Sequence, residues 1–150
     1  HHLKARESKM PKRATTDQQI NDCFAVLAEL RPHLQQDEFL STVRSMEKEG
    51  YRLASITDNG EVVAVAGYRI YSNLFMGRHL YVDDLVTTET VRSRGYGGRL
   101  LSWLREQAEA ENCKVLHLDS GTQRPDAHKF YFREGLKIAS FHFSQALDRS

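Results

Sequence analysis

Apolar residues return every three or four positions through Ile20, Cys23, Phe24, Leu27 and Leu30, a helical period that breaks near Pro32. Ahead of it, Thr16-Asp17-Gln18-Gln19 has capping-box spacing. A second helical stripe, Phe39, Leu40, Val43 and Met46, has Asp37 as its expected cap and Gly50 as its stop. The period then falls to two. Tyr51 to Thr57 and Val62 to Tyr71 flank Asp58-Asn59-Gly60, which predicts an antiparallel hairpin. Ser72 to Gly77 is a loop exposing Leu74, Phe75 and Met76, and Arg78 to Thr87 is the next strand. From Gly98 to Asn112 a helix carries Leu100, Leu101, Leu104 and Ala108 on one face. It is long enough for a parallel crossover into a short strand, Lys114 to Asp119. Pro125 starts a helix through Ala127, Phe130 and Tyr131 to Gly135, and Leu136 to Leu147 is a last strand or strand pair. With Lys12 to Thr15 as a first edge strand, the order is β-α-α-β-β-β-α-β-α-β. That order predicts one α/β or α+β domain with a mixed sheet and helices on its faces.

The candidate chemistry concentrates where the strand ending at Thr87 runs through Arg92-Ser93-Arg94-Gly95-Tyr96-Gly97-Gly98-Arg99 into the amphipathic helix. Glycines at 95, 97 and 98 remove side chains where the first N–H groups of a helix stand unpaired. Those donors, the helix dipole and Arg92, Arg94 and Arg99 describe a site for phosphate or pyrophosphate. It is not a dinucleotide fingerprint, whose third glycine would fall at Leu100, nor a P-loop, which ends in Gly-Lys-Ser/Thr.

Composition narrows the class without choosing a function. At 150 residues, 40% hydrophobic and 27% charged, the chain is ordinary globular protein, and a net charge of +1 points to neither nucleic acid nor an anionic membrane as partner. No apolar run approaches the roughly twenty residues of a membrane helix. Cys23 and Cys113 lack CxxC spacing and are expected to be reduced thiols, which with the lack of a signal peptide predicts a cytoplasmic protein. Residues 1–9, with their paired histidines, are expected to be an expression-tag remnant, leaving residues 10–150 as the domain. A homodimer is compatible with the sequence.

Arg92-Ser93-Arg94-Gly95-Tyr96-Gly97 is an Arg-x-x-Gly-x-Gly run between a strand and a helix, and in that context it resembles the acetyl-CoA-binding motif of the GCN5-related N-acetyltransferases, the GNAT superfamily. Tyr81 to Thr87 is similar to that family's fourth strand, and Ala127 to Leu136 to its Ala-x-x-x-Tyr-x-x-x-Gly-Phe helix segment. The resemblance covers nearly all of Lys12 to Leu147. Departures are Arg124 where the family often has Asn, Leu136 where it has Phe, and Glu89-Thr90 where it has Pro-Glu. Paired acids on the fourth strand also occur in the spermidine/spermine acetyltransferase branch.

The resemblance implies a mixed, mostly antiparallel sheet of six to seven strands flanked by about four helices, with acetyl-CoA as cosubstrate and no metal. It implies that Leu85, Val86 and Thr87 offer backbone groups to the acetyl carbonyl and pantetheine, while Arg92, Ser93, Arg94, Gly95, Tyr96, Gly97, Gly98 and Arg99 hold the phosphates. It places Asp83 as the base, Asp84 as a holder of the amine, and Tyr131 as the acid that protonates the departing thiolate. On a regular strand Asp83 and Asp84 would face opposite sides of the sheet, unless a bulge turns both one way. The expected activity is acetyl transfer to a primary amine of a small molecule or peptide. An acid-lined cleft would favour cationic amines such as polyamines, lysine-like side chains or aminoglycosides. The alternative is a non-catalytic acyl-CoA-binding module of the same fold.

Overall fold

Three antiparallel pairings and one parallel pairing build a five-stranded sheet in the order β1-β2-β3-β4-β5 in the computed structural model, which describes residues 9–148. The strands are β1 (Lys12–Ala14), β2 (Arg52–Asp58), β3 (Glu61–Asn73), β4 (Gly77–Thr87) and β5 (Val115–Leu118). The helices are α1 (Asp17–Asp22), α2 (Phe24–Leu30), α3 (Gln36–Glu47), α4 (Tyr96–Ala110) and α5 (Pro125–Arg133), with a 3-10 segment over Glu89–Arg94. The described residues form two compact units, divided after Leu118. No helix among them is long and apolar enough to cross a membrane. The expected tag covers residues 1–8, which lie outside the described residues, and Lys9, whose ammonium is 3.9 Å from Asp58.

The capping box forms as spelled: the Thr16 hydroxyl accepts from the Gln19 N–H, and the Gln19 side chain accepts from the Thr16 N–H. The single helix expected after it is divided at Cys23, whose N–H turns back to Asn21 and Ile20 in a tightened last turn, so α1 and α2 replace one element. Asp37 is not the cap of α3; Gln35 holds that position, and Asp37 lies in the first turn, where its charge suits the helix dipole. The turn at Asn59-Gly60 has φ of 52° and 78°, both left-handed, as the tight hairpin between β2 and β3 requires.

Strand alternation assigns the two sheet faces. Leu53, Val65 and Val86 join Ala14, Ile20, Cys23, Val26, Leu27, Phe39, Val43 and Tyr51 in one buried cluster with α1 to α3. Ala54, Ile56, Ala64, Ala66, Tyr68, Leu80 and Val82 alternate with them and are buried on the α4 side, where Trp103 meets Tyr68 edge to face at 5.8 Å. Burying both faces accounts for the near-continuous burial of β3 from Val63 to Tyr68.

In the second unit, Pro125 opens α5 and Gly135, at φ 91°, follows its end, with the Leu136 N–H donating to the Tyr131 carbonyl. The last strand expected over Leu136 to Leu147 does not form: the segment has no ladder, and Ile138, Phe141, Phe143 and Leu147 are exposed. The sheet among the described residues therefore has five strands, not six or seven. Alternation supplies a strand with a face, but only a neighbouring strand satisfies its backbone.

Candidate active site

The site follows from three features of β4 and its continuation. The first is a β-bulge. Gly67 of β3 stands opposite Asp84 and the next residue, Tyr68, opposite Val82, which leaves Asp83 as the extra residue of β4. Leu80 and Val82 stay on the α4 side, while both carboxylates find partners on the other face. Asp84 Oδ2 accepts from the buried Tyr51 hydroxyl at 2.7 Å, and its Oδ1 from Arg31 Nε at 3.1 Å. Asp83 meets Arg69 side-on, Oδ1 accepting from Nε at 3.1 Å and Oδ2 lying 2.9 Å from Nη2. Gly67 is required here, because a Cβ would overlap the Tyr51 ring and hydroxyl and the Asp84 carboxylate.

The electrostatics differ between the two acids. Burial holds the Asp83 carboxyl above its ordinary pKa, against the opposing pull of Arg69. The Tyr51 phenol is pushed well above its ordinary value by burial and then by the Asp84 charge, so it remains a hydrogen-bond donor.

The second feature is a splay. β5 pairs in parallel with β4 only from His79↔Val115 to Val82↔Leu118, yet β4 continues to Thr87. Over Asp83 to Thr87, including Leu85 and Val86, no described strand pairs with that edge. The Asp83 and Thr87 carbonyls accept from Arg31 and Arg92, and the rest of that edge, without a strand partner, suits a ligand strand-like in shape.

The third feature is the glycine turn. β4 does not pass directly into the helix as expected. A 3-10 segment intervenes, its start held by Glu29 of α2, which accepts from the Thr88 hydroxyl at 2.6 Å and the Glu89 N–H at 3.0 Å. Gly95 then takes φ 81° as the N-cap of α4, which starts at Tyr96, two residues ahead of Gly98. No side chain caps the helix and its first turn carries no acid, which leaves the N-terminal donors for an anion. Arg92, Ser93, Arg94 and Arg99 are exposed around them, and Gly97 and Gly98 lie in the first turn. Tyr96 is buried, its hydroxyl donating to Asp58, so its side chain belongs to the core and only its backbone faces the turn.

Tyr131 belongs to the second unit. It is half-buried on α5 with its ring 5.4 Å from Phe130, and burial holds its phenol above the ordinary value against the opposing charge of Arg124. Cys23 and Cys113 are free thiols, and burial pushes Cys23 up to about 12. Neither is a poised nucleophile.

Sequence reasoning passed over Tyr51, Arg69 and Glu29, and gave Arg31 and His79 no chemical role. His79 is fully buried, shares a 2.8 Å hydrogen bond with His117 and meets Tyr71 edge to face at 4.2 Å. Burial, and then the Arg69 charge, lower its pKa and keep it neutral. These contacts join residues on different elements, and no helical or strand spacing signals them.

The acetyltransferase (GNAT) family model matches residues 16–135. The chain belongs to the GNAT family. N-acetyltransferase YhdJ of Bacillus subtilis strain 168, whose name marks it as uncharacterised, is 33% identical over 134 residues, covering 88% of this chain and 94% of that protein. An aminoalkylphosphonate N-acetyltransferase of Salmonella typhimurium is 29% identical over 154 residues, covering 97% and 98%. A solved structure from Agrobacterium tumefaciens strain C58, provisionally described as an acetyltransferase, matches with a TM-score of 0.80 at 25% identity, over 91% of this chain and 99% of that one. An aminoglycoside N-acetyltransferase solved with CoA has the same fold, with a TM-score of 0.80 at 12% identity over 91% and 93%. This GNAT chain is an acetyl-CoA-dependent acyltransferase.

Proposed function

We propose that the chain transfers the acetyl group of acetyl-CoA directly to a primary amine of a small molecule or peptide. The observation that carries this is the bulge at Asp83, which holds two carboxylates on one face of the sheet where β4 loses its β5 partner. Two relatives are named for amine acceptors of different kinds, an aminoalkylphosphonate and an aminoglycoside.

The residues divide the work as the chemistry requires. The exposed arginines and the uncapped first turn of α4 hold the phosphates, and the open edge at Leu85, Val86 and Thr87 takes the pantetheine and the acetyl carbonyl oxygen. An aliphatic amine with a pKa near 10 arrives protonated, and Asp83, with its raised pKa, takes the proton. The amine nitrogen then attacks the thioester carbon, the carbon–sulfur bond breaks as Tyr131 supplies a proton to the sulfur, and the proton that the nitrogen sheds on becoming the amide restores the Tyr131 phenol through solvent. Tyr131 holds its proton at neutral pH as any phenol does, and burial raises its pKa further. Asp84, engaged by Tyr51 and Arg31, fixes the geometry of the bulge and helps hold the amine.

The test incubates the chain with acetyl-CoA and a panel of amines, following free thiol and the mass increase of an acetyl group. Acetylated product together with stoichiometric thiol is expected. Cofactor binding without product from any amine would overturn the proposal in favour of a binding module.

A further inference from the structure

The acids at the bulge do not form a bare anionic site. Each is matched by a guanidinium, and both guanidiniums converge on Asp83: Arg69 grips its carboxylate through Nε and Nη2, and Arg31 Nη2 donates to its main-chain carbonyl at 3.0 Å while Nε holds Asp84. Neither arginine is spent by these bonds. A guanidinium carries five N–H donors, and among the described residues Nη1 of Arg31 and Nη1 of Arg69 have no partner. The side chains remain 44% and 34% exposed, so their outer edges reach solvent. Arg69 is also held in place, its guanidinium carbon 5.6 Å from the centres of both the Tyr71 and Tyr81 rings.

Charge balance decides what such a site accepts. Two carboxylates and two guanidiniums sum to zero, and the adjacent His79 is kept neutral. A polyamine would add several positive charges beside two guanidiniums that already occupy the acids. A molecule with one ammonium and one oxyanion adds no net charge and pairs both poles. Asp83 Oδ1 accepts one N–H from Arg69 and Oδ2 is ion-paired with Arg69 Nη2 at 2.9 Å, so each oxygen keeps a lone pair for the ammonium. The free guanidinium edges offer the planar fork that carboxylate and phosphonate oxygens fit.

We propose that the acceptor is a short zwitterion, its ammonium taken by Asp83 and its oxyanion by the outer edges of Arg69 and Arg31. The span from acid to outer guanidinium edge is that of a single ion pair, which calls for a chain of only a few atoms between the two poles. The assignment rests on the acetyl-transfer reading and narrows its acceptor.

Initial rates with saturating acetyl-CoA, measured for 2-aminoethylphosphonate, β-alanine, n-propylamine and spermidine, test it. One of the two zwitterions should exceed n-propylamine in kcat/KM by about tenfold to a hundredfold, the scale of one charge-assisted hydrogen bond. The preferred zwitterion tells phosphonate from carboxylate. Arg69→Gln should collapse that ratio through a raised KM, and Arg69→Lys should retain part of it. The ratio is the readout because any effect of Arg69 on Asp83 falls on both amines alike. Equal or better use of n-propylamine or spermidine by the wild-type chain would overturn the assignment while leaving amine acetylation intact, as would cofactor binding with neither zwitterion acetylated. Lack of any thermal shift with acetyl-CoA would overturn both proposals together.

Discussion

Asp83 and Asp84 are neighbours in sequence with different physical roles, and their amide variants should separate. Asp84 answers a buried tyrosine hydroxyl and an arginine, so Asp84→Asn disturbs two charge-assisted hydrogen bonds and should destabilise the fold by about 1–3 kcal/mol in chemical denaturation. Burial raises the Asp83 pKa above the usual aspartate value of about 3.9, so the folded chain keeps its proton to higher pH than the unfolded chain does. The Asp83 contribution is therefore most favourable below the unfolded value and is lost as pH rises through the folded one. Asp83→Asn should remove that slope and cost no stability at pH 7, while turnover falls steeply. In the wild-type chain kcat/KM should drop on acidification through the raised pKa, as the base becomes protonated. A marked stability loss in Asp83→Asn with turnover intact would return Asp83 to a structural role. Tyr131→Phe keeps the ring beside Phe130 and removes only the proton donor, so kcat should fall by about 10² to 10⁴-fold with acetyl-CoA affinity nearly unchanged. A rate within about threefold of wild type lies far below that range and would assign the tyrosine to packing.

At the level of elements, the strand, the 3-10 segment and α4 work as one unit. Gly95 sits at φ 81°, and an added Cβ there would meet no neighbouring atom, so the cost of Gly95→Ala is conformational and should be about 1 kcal/mol. That strain tilts the first turn of α4, and acetyl-CoA affinity measured by calorimetry should fall with it. Gly97→Val places a branched side chain in the same turn and should abolish cofactor binding. Unchanged affinity in both variants would remove the phosphates from this turn. The strand and α4 were legible in the sequence, because period two and period 3.6 are written into consecutive residues. Their joints were not. The 3-10 segment after Thr88 and the bulge at Asp83 each depend on a partner elsewhere in the chain, Glu29 for the segment, Gly67 and Tyr51 for the bulge, while the division at Cys23 is a local tightening that the apolar period does not record.

For the molecule as a whole, a ligand that binds only the native state stabilises it by mass action, about 2.7 kcal/mol at 100 times its dissociation constant. The melting temperature should therefore rise with acetyl-CoA concentration and stay flat with an uncharged pantetheine fragment at equal concentration, since the phosphates supply the anchoring charge. A flat response to acetyl-CoA would contradict the site described for unit 1. The sequence by itself determined the core succession of hairpin, β4, amphipathic helix and crossover strand, the turn at Asn59-Gly60 and the glycine turn, because periodicity, left-handed backbone and helix starts are local properties. It also placed both acids on β4. Tertiary structure alone decided that Asp83 and Asp84 share one face, that Arg31, Arg69 and Tyr51 occupy them, and that β5 leaves β4 at Val82. It also decided that Leu136 to Leu147 forms no strand. A bulge, an ion pair and a strand pairing each need two segments distant in the chain, and their energy exists only once the fold has brought those segments together.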